Sequence, residues 1–504
     1  MFDIELPEPE DLSGVDDSAL VAAVAGWGRV EAAAAARRLA VIAELVDRGT
    51  SGEGARARWA CDGWDATAAE VAAAAGSTRG RASSQMYVAT ALRHRLPRVA
   101  ELFADGTLSA AMVSTLVWHT MLIEDLGVLA VVDAILAGQA CHYGQLSAAK
   151  TIAAIHAVIE AHDPAAVRRG RDAARSRDLV VDLENSESGT TALWGRLYAH
   201  DATVLDRRLA AMAHSVCDDD PRSIGQRRAD ALAALAAGAD QLACTCDDPE
   251  CPNRPGGTGS QPGAVVVHVV ADAGGVATPV DPERSGDFPQ CRPGAPQTRA
   301  VPESVVEAKP VQIVGGPIIP TPLLAELLRS GRAVVRPLQI PGPDSAPEPH
   351  YRPSAKLADF IRCRDLTCRF PGCEHPAERC DIDHAIAWGD GGPTHPSNLR
   401  LLCRKHHLLK TFWGWRDRQF PDGTIVWTSP TGHRYTTHPG SRLLFPALCR
   451  STGRLPAVAP AQQPTGCRDV MMPIRRRTRA QDRRAGIAAE RAANLARIES
   501  GQPP

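Results

Sequence analysis

From residue 16 to about residue 160 the chain keeps returning to one pattern: apolar residues three or four positions apart in an alanine-rich background. Over 16–48, Leu20, Val24, Trp27, Leu39, Ile42 and Leu45 fall at this helical spacing, with Asp16, Asp17 and Ser18 as N-cap candidates and Gly49 as a stop. "TLSAAMVSTLVWHTML" predicts a later helix capped by Ser109. Few aromatic residues and many alanines favour helices that approach closely. Near residue 178 the period changes. "DLVVDL" and "TTALWGRLYA" read as strands, and "DATVLDRRLAAMAHSV" and "QRRADALAALAAG" as helices, the second ending at Gly238. "GAVVVHVVAD" and "AVVRPLQI" predict further strands, and 301–331 mixes strand and helix. The expected fold class is α+β and multidomain. A helical domain spans 1–177, an α/β region continuous with it 178–340, and a Pro-rich linker 341–353. A compact module follows over 354–440, then a Pro- and Arg-rich tail, 451–504, ending in the helix "AQDRRAGIAAERAANLARI". No internal repeat is visible.

The length of 504 residues suits about three domains. A net charge of -2 points the whole chain at no partner, so any nucleic-acid footprint has to be local. Residues 351–420 hold twelve Lys/Arg against eight Asp/Glu, a modest positive excess. The fourteen cysteines are too few for a disulfide scaffold, and they cluster, which suits metal binding in a reducing compartment. The N-terminus "MFDIELPEPEDLSG" is acidic and lacks an apolar h-region, and the apolar runs elsewhere are short or interrupted by charge. These features predict a cytoplasmic protein with no signal peptide, no membrane-spanning helix and no membrane partner.

The chemistry concentrates in "CRFPGCEHPAERCDIDHAIAWGDGG", which starts at Cys368. Cys368 and Cys373 form C-x4-C, and Cys403 and His406 form C-x2-H, with 29 residues between the pairs. Tetrahedral zinc takes four such ligands from two closely spaced pairs, because each short turn aims two side chains at one point. Four protein ligands leave no open position, so this zinc is expected to be structural.

A second layer comprises Asp383, His384, Asn398 and His407. Here "CDIDHAIAWGDGGPTHPSNLRLLCRKHHLLKT" resembles an HNH nuclease of the ββα-metal class. In its zinc-bearing subgroup a Cys pair precedes the motif and C-x2-C stands just before the last His; in this chain His406 replaces the second Cys. His406 and His407 can therefore exchange roles, although the knuckle spacing favours His406 on zinc. The resemblance implies His384, Asn398 and His407 as the catalytic residues. His384 is the general base, Asn398 ties the loop between the strands, and Asp383 with His407 holds a catalytic Mg²⁺, Mn²⁺ or other divalent metal. Adjacent strand residues point to opposite faces, so Asp383 and His384 share a site only if the strand end is irregular. "GDGG" over 389–392 offers a tight turn, and Lys410 a phosphate contact. The helical region that includes "AAGSTRGRASSQMYVATALRHRLPRVAELFADGTLSAAMVSTL" looks like the actinobacterial domain of unknown function that precedes HNH modules in mycobacterial repeat-family proteins.

The implied activity is a metal-dependent endonuclease acting on DNA. Its rival is a non-catalytic, zinc-stabilised nucleic-acid-binding protein or mobile-element relic, which needs the zinc set but not Asp383, His384 and His407. A third reading, a protein-interaction scaffold, rests on the large helical domain and predicts no nucleic-acid affinity. Taken singly, each residue has an ordinary explanation, and only the joint spacing carries the enzyme reading. Trp388, Trp413, Trp415 and Trp427 are available to stack on bases or to fill the module's core. The run "RRRTRAQDRR", with Arg475, Arg476 and Arg477, is either a solvated end or a DNA anchor. In "CTCDDPEC", Cys244, Cys246 and Cys251 stand together as three possible zinc ligands with no evident fourth. Cys363 and Cys380 fit neither metal set.

Overall fold

The computed structural model describes residues 6–143, 146–168, 178–187, 190–197, 199–246, 248, 250–251, 268–277, 311–329, 333–455 and 471–500. The N-terminal region is helical throughout. It comprises α1 (Asp17–Thr50), α2 (Gly63–Ala74), α3 (Arg79–His94), α4 (Pro97–Ala104), α5 (Ala110–Thr120), α6 (Leu126–Gly138), α7 (Ala140–Tyr143) and α8 (Ala148–His162). Capping side chains set the starts: Asp16 accepts from Ala19 N–H on α1, and Ser109 caps α5 as expected. Gly49 does not stop α1, which runs on to Thr50. Its missing side chain instead lets α1 pass against Thr67 of α2. Ile42 and Val46 of α1 join Met86, Phe103, Leu116 and Ile155 in one core. By length and apolarity α1 alone, among the described residues, suffices to cross a membrane. Here its Leu39, Ile42, Ala43 and Val46 are buried in that shared core.

The middle region departs from the expected α/β arrangement. Strands β1 (Asp178–Glu187) and β2 (Thr190–Arg196) form an antiparallel hairpin, followed by the helix pair α9 (Ala199–His214) and α10 (Ile224–Ala236). Next come β3 (Val269–Ala271), α11 (Ala273–Val276), β4 (Val311–Ile313), β5 (Ile318–Ile319) and α12 (Thr321–Arg329). The three strands form a small antiparallel sheet in the order β3-β4-β5. No parallel pair exists among the described strands, so no βαβ layer forms there. "AVVRPLQI" is not a strand: Val334 is 91% exposed, no strand pairs with the segment, and Pro337 lacks a donor. Part of "GAVVVHVVAD" and much of 301–331 lie outside the described residues.

The C-terminal module is built from α13 (Ala355–Asp365), β6 (Cys380–His384), β7 (Leu399–Cys403), α14 (Arg404–Phe412), β8 (Arg416–Gln419), β9 (Ile425–Thr428) and β10 (Arg434–Thr437). β6 and β7 form an antiparallel hairpin, and β10-β9-β8 form a second sheet. At the end of α13, Asp365 is fully buried. Its carboxylate receives Arg364 Nε at 2.8 Å, Arg369 at 3.1 Å and the Leu401 N–H at 2.9 Å. Burial works to raise its pKa, and the two guanidiniums outweigh burial and hold it below the usual carboxylate range. Arg364 also donates to the carbonyls of Pro396, 2.8 Å, and Leu399, 2.7 Å.

The module does not hang from a free linker. Cys61, Ala69 and Ala73, at and just before α2, share a core with Cys368, Phe370, Leu402 and Trp427. Gly372, at φ +69°, lets the knuckle turn sit against the Ser77 carbonyl. The tail helix α15 (Arg479–Glu499), capped by Thr478, folds back onto the helical domain. Arg491 meets Asp163 at 2.7 Å, and Asn494 donates to the carbonyls of Ala165 and Val167. Two buried carboxylates anchor all three parts. Asp65 faces Arg79 (2.9 Å), Lys405 (2.7 Å), Arg475 (3.1 Å) and Arg479 (3.2 Å), while Asp62 caps α2 and pairs with Arg475 (3.0 Å) and Arg479 (3.2 Å).

Asp65→Asn, nearly isosteric, leaves these cations short of one buried charge. It is expected to lower stability by about 3 kcal/mol or more and to expose α15 to protease. Urea unfolding combined with limited proteolysis of the full chain measures both; an unchanged midpoint and cleavage pattern would mean the carboxylate is dispensable.

Candidate metal centre and active site

A strand-turn-strand-helix path brings the motif together. The knuckle turn carries Cys368 and Cys373, and β7 ends at Cys403, which is also the N-cap residue of α14. Residues three apart across a helix start share a face, so Cys403 and His406 point the same way. The ligand atoms of Cys368, Cys373, Cys403 and His406 all lie within 4.8 Å of one another. His406 Nδ1 is 3.2 Å from Cys403 Sγ and 3.4 Å from Cys368 Sγ. Phe370 stacks on the His406 ring, centroids 4.0 Å apart, and fixes its plane. Burial pushes the Cys368 thiol up, and hydrogen bonds with Cys368 and Cys403 push Cys373 up. Cys403 moves the opposite way, because hydrogen bonds from Cys368 and Cys373 favour its thiolate. A set of three sulfurs and one imidazole nitrogen, with no competing carboxylate among them, fits zinc and a closed tetrahedron.

One residue further along α14 the direction turns by about 100°, and His407 leaves the thiol cluster. Its Nδ1 is 3.1 Å from Asp381 Oδ2, and its Nε2 is 3.4 Å from Asp383 Oδ1. Asp381 and Asp383 stand two apart on β6 and so share one face. The other oxygen of Asp383 is engaged, receiving Arg400 at 2.9 Å and Lys410 at 2.8 Å. Burial works to raise the Asp383 pKa; Arg400, Lys410 and His407 overcome it and the carboxylate stays ionised. Asp417, 2.8 Å from Arg400, is raised by its own burial. Asp383 Oδ1 and His407 Nε2 therefore offer a divalent cation two donors on one side, with Asp381 orienting the imidazole from behind.

His384 sits at the end of β6. Pairing is regular through His384↔Leu399, so the strand end is not irregular, and Asp383 and His384 alternate faces. Their coupling is electrostatic. Burial lowers the His384 pKa and the Asp383 charge opposes it, with a net shift downward that leaves the imidazole neutral. The ring lies parallel to Tyr351, centroids 5.2 Å apart, with Trp388 edge-on at 6.0 Å. His384 Nε2 is 3.0 Å from Thr394 Oγ1, and that hydroxyl donates to the Tyr351 carbonyl at 3.3 Å. Asn398, fully buried, accepts the Ile386 N–H at 2.8 Å and donates to the carbonyls of Ile386 and Pro393. The 385–398 loop is thereby closed on itself. Gly391, at φ +84°, and Gly392, whose missing side chain makes room for the Ile386 carbonyl, form its tight turn.

Two expected nucleic-acid contacts are corrected. Lys410 is not free for phosphate: its ammonium points inward to Asp383, to the His384 carbonyl at 2.6 Å and to the Ala385 carbonyl. Arg475 is spent on Asp62 and Asp65; Arg476 and Arg477 remain exposed. Trp415 and Trp427 are core residues, and Trp413 donates to the Cys61 carbonyl at the domain contact. Only Trp388 of the four is exposed. Cys363 and Cys380 stay outside both clusters of metal-ligating groups among the described residues.

Two family models match this chain: Domain of unknown function (DUF222) over residues 28–365, and HNH endonuclease over residues 363–412. The chain belongs to the DUF222 family and carries an HNH endonuclease domain. Its relatives include two proteins of Mycobacterium tuberculosis (strain ATCC 25618 / H37Rv). Uncharacterized protein Rv2100 is 54% identical over 516 residues, covering 100% of this chain and 93% of its own length. Uncharacterized protein Rv3776 is 54% identical over 495 residues, covering 98% of this chain and 93% of its own length. No solved structure matches the chain. The DUF222 match continues through 341–353 to residue 365, and so does the packing. Glu348 pairs with Thr394 of the HNH domain and Tyr351 covers His384. The sequence reading missed Tyr351, Thr394 and Asp381. The alternation of Asp381 with Asp383 was available as a signal; the arrival of Tyr351 from the segment before the domain was not.

The divergence of His406 and His407 gives a direct test. His406→Ala is expected to lose the zinc of the Cys cluster, whereas His407→Ala keeps it, as read by elemental analysis of the purified proteins. Zinc retained in His406→Ala and lost in His407→Ala would exchange the two roles.

Proposed function

We propose that this HNH domain hydrolyses phosphodiester bonds in DNA. Cys368, Cys373, Cys403 and His406 hold a structural zinc, and Asp383 with His407 holds one catalytic divalent cation. The observation that supports this most is the facing pair Asp383 Oδ1 and His407 Nε2, 3.4 Å apart. The proposal brings neutral His384, the last residue of β6, to the edge of that pair from the alternate face of the strand, coupled to Asp383 by charge. A binding module has no use for such a pair. A bound Mg²⁺ or Mn²⁺ supplies charge stabilisation at the phosphate. The rest is done by the chain. The Thr394 hydroxyl has one proton, given to the Tyr351 carbonyl, so it accepts from His384 Nε2–H. This leaves Nδ1 as the basic nitrogen. His384 Nδ1 takes the proton from water as the water oxygen bonds to phosphorus and the P–O3' bond breaks, and the departing 3'-oxygen takes a proton from solvent water. Asn398 acts as a positioning residue by holding Ile386 and Pro393 on either side of the turn. Lys410 and Arg400 keep Asp383 ionised and aimed. Exposed Trp388 and Tyr351 flank the base and offer apolar faces to a nucleotide.

Plasmid DNA incubated with purified protein and a panel of divalent metals tests the reading. His384→Ala is expected to cut at least about a hundredfold more slowly, with zinc content and DNA affinity nearly unchanged. Asp383→Ala should lose activity in a way that excess Mn²⁺ partly restores, and the same excess should not rescue His384→Ala. Wild-type cleavage by His384→Ala, free of contaminating nuclease, would sink the enzyme reading in favour of a DNA-binding module.

A further inference from the structure

The middle region holds a second cluster of sulfurs, far along the chain from the HNH motif. We propose that Cys217, Cys244, Cys246 and Cys251 bind a second structural zinc ion, independent of the nuclease site. The sequence offers three of these thiols in "CTCDDPEC". The fourth, Cys217, lies three residues beyond the end of α9, and the fold carries it to the others across the turn after α10. All four Sγ atoms lie within 4.8 Å of one another, and Cys217 and Cys244 are 3.3 Å apart. Zinc–sulfur bonds of about 2.3 Å place the corners of a tetrahedron about 3.8 Å apart, which is the scale of this cluster. A disulfide needs about 2.05 Å, and none of the four is bridged.

Two further observations point the same way. The core of the α9–α10 unit has little besides these sulfurs: Met212, Val216, Ala231 and Leu242 are its other buried members. A core this small rarely holds a helix pair by itself, and a metal staple is the common remedy. The two ligand-bearing limbs are also tied together by a buried ion pair. Asp220, three residues after Cys217, receives Arg222 at 2.7 Å and the Thr245 N–H at 3.0 Å. Arg222 donates in turn to the Ala243 carbonyl at 2.7 Å. Thr245 stands between Cys244 and Cys246, so the loop is held in a ligand-presenting shape from outside the sulfur cluster. Four thiolates leave no open position, which makes the site a brace, with no room for substrate.

The experiment uses the full chain, purified without chelator, with zinc and iron counted per chain. Wild type is expected to hold about two zinc ions and no iron, and Cys246→Ser about one. Cys373→Ser, which strikes the HNH cluster, should also hold about one, and the double variant none. The losses are thus separable, and failure at one site does not count against the other. Wild-type protein also carries the test if Cys246→Ser misfolds. Peptide mapping after alkylation should find Cys217, Cys244, Cys246 and Cys251 protected until a chelator is added. Full zinc content in Cys246→Ser, iron in place of zinc, a disulfide among the four, or equal alkylation with and without chelator would each overturn the proposal.

Discussion

Asp365 is the constraint on which the site is built. A carboxylate with no exposure costs several kcal/mol to bury unless every lone pair is used, and here Arg364, Arg369 and the Leu401 amide use them. Those three partners belong to the end of α13, the start of the zinc knuckle and the middle of β7. Their relative positions are therefore fixed by this one network. Arg364 extends the network to the carbonyls of Pro396 and Leu399, on either side of Asn398. From that frame the side chains follow: Asn398 closes the loop, Cys403 starts α14, and the turn of the helix sends His406 to the sulfurs and His407 to Asp383.

Charge balance shapes the inner layer. Arg400 and Lys410 lie between Asp383 and Asp417, so two cations meet two carboxylates in a nearly dry space. Each ion alone would be expensive to bury; pairing offsets part of that cost, while Arg400 Nε and Nη1 are buried without a hydrogen-bond acceptor. The arrangement uses one oxygen of Asp383 for architecture and leaves the other facing His407. That division explains why a lysine near a nuclease motif does not point at substrate here, since its aliphatic stem and ammonium are both part of the floor.

Much of this was legible because it is local. Helix starts came from capping residues such as Asp16 and Ser109, and the ligand pairs came from spacings that a turn of chain must close. His384, Asn398 and His407 were named as candidates through the resemblance to the HNH motif, whose residues also lie close together in the chain. What stayed hidden depends on distant segments meeting. Tyr351 reaches His384 from the stretch read as a linker, Arg475 reaches Asp62 and Asp65 across some 400 positions of sequence, and Cys217 joins three thiols beyond a whole helix. "AVVRPLQI" failed for the complementary reason. Its composition suits a strand, but a strand needs a neighbour, and none comes alongside.

Lys405 sits on α14 between Cys403 and His406 of the sulfur cluster, and its ammonium reaches across to Asp65 and the Ala60 carbonyl of the helical region. The helix that carries His406 and His407 is thus fastened to the helical region of the chain. An HNH domain of this kind is not a portable cassette. Grafted elsewhere without residues 59–77, it would present Phe370, Trp413 and an uncompensated lysine to water. Exchanging one half of such a chain for a distant relative's would have to carry both sides of this seam together.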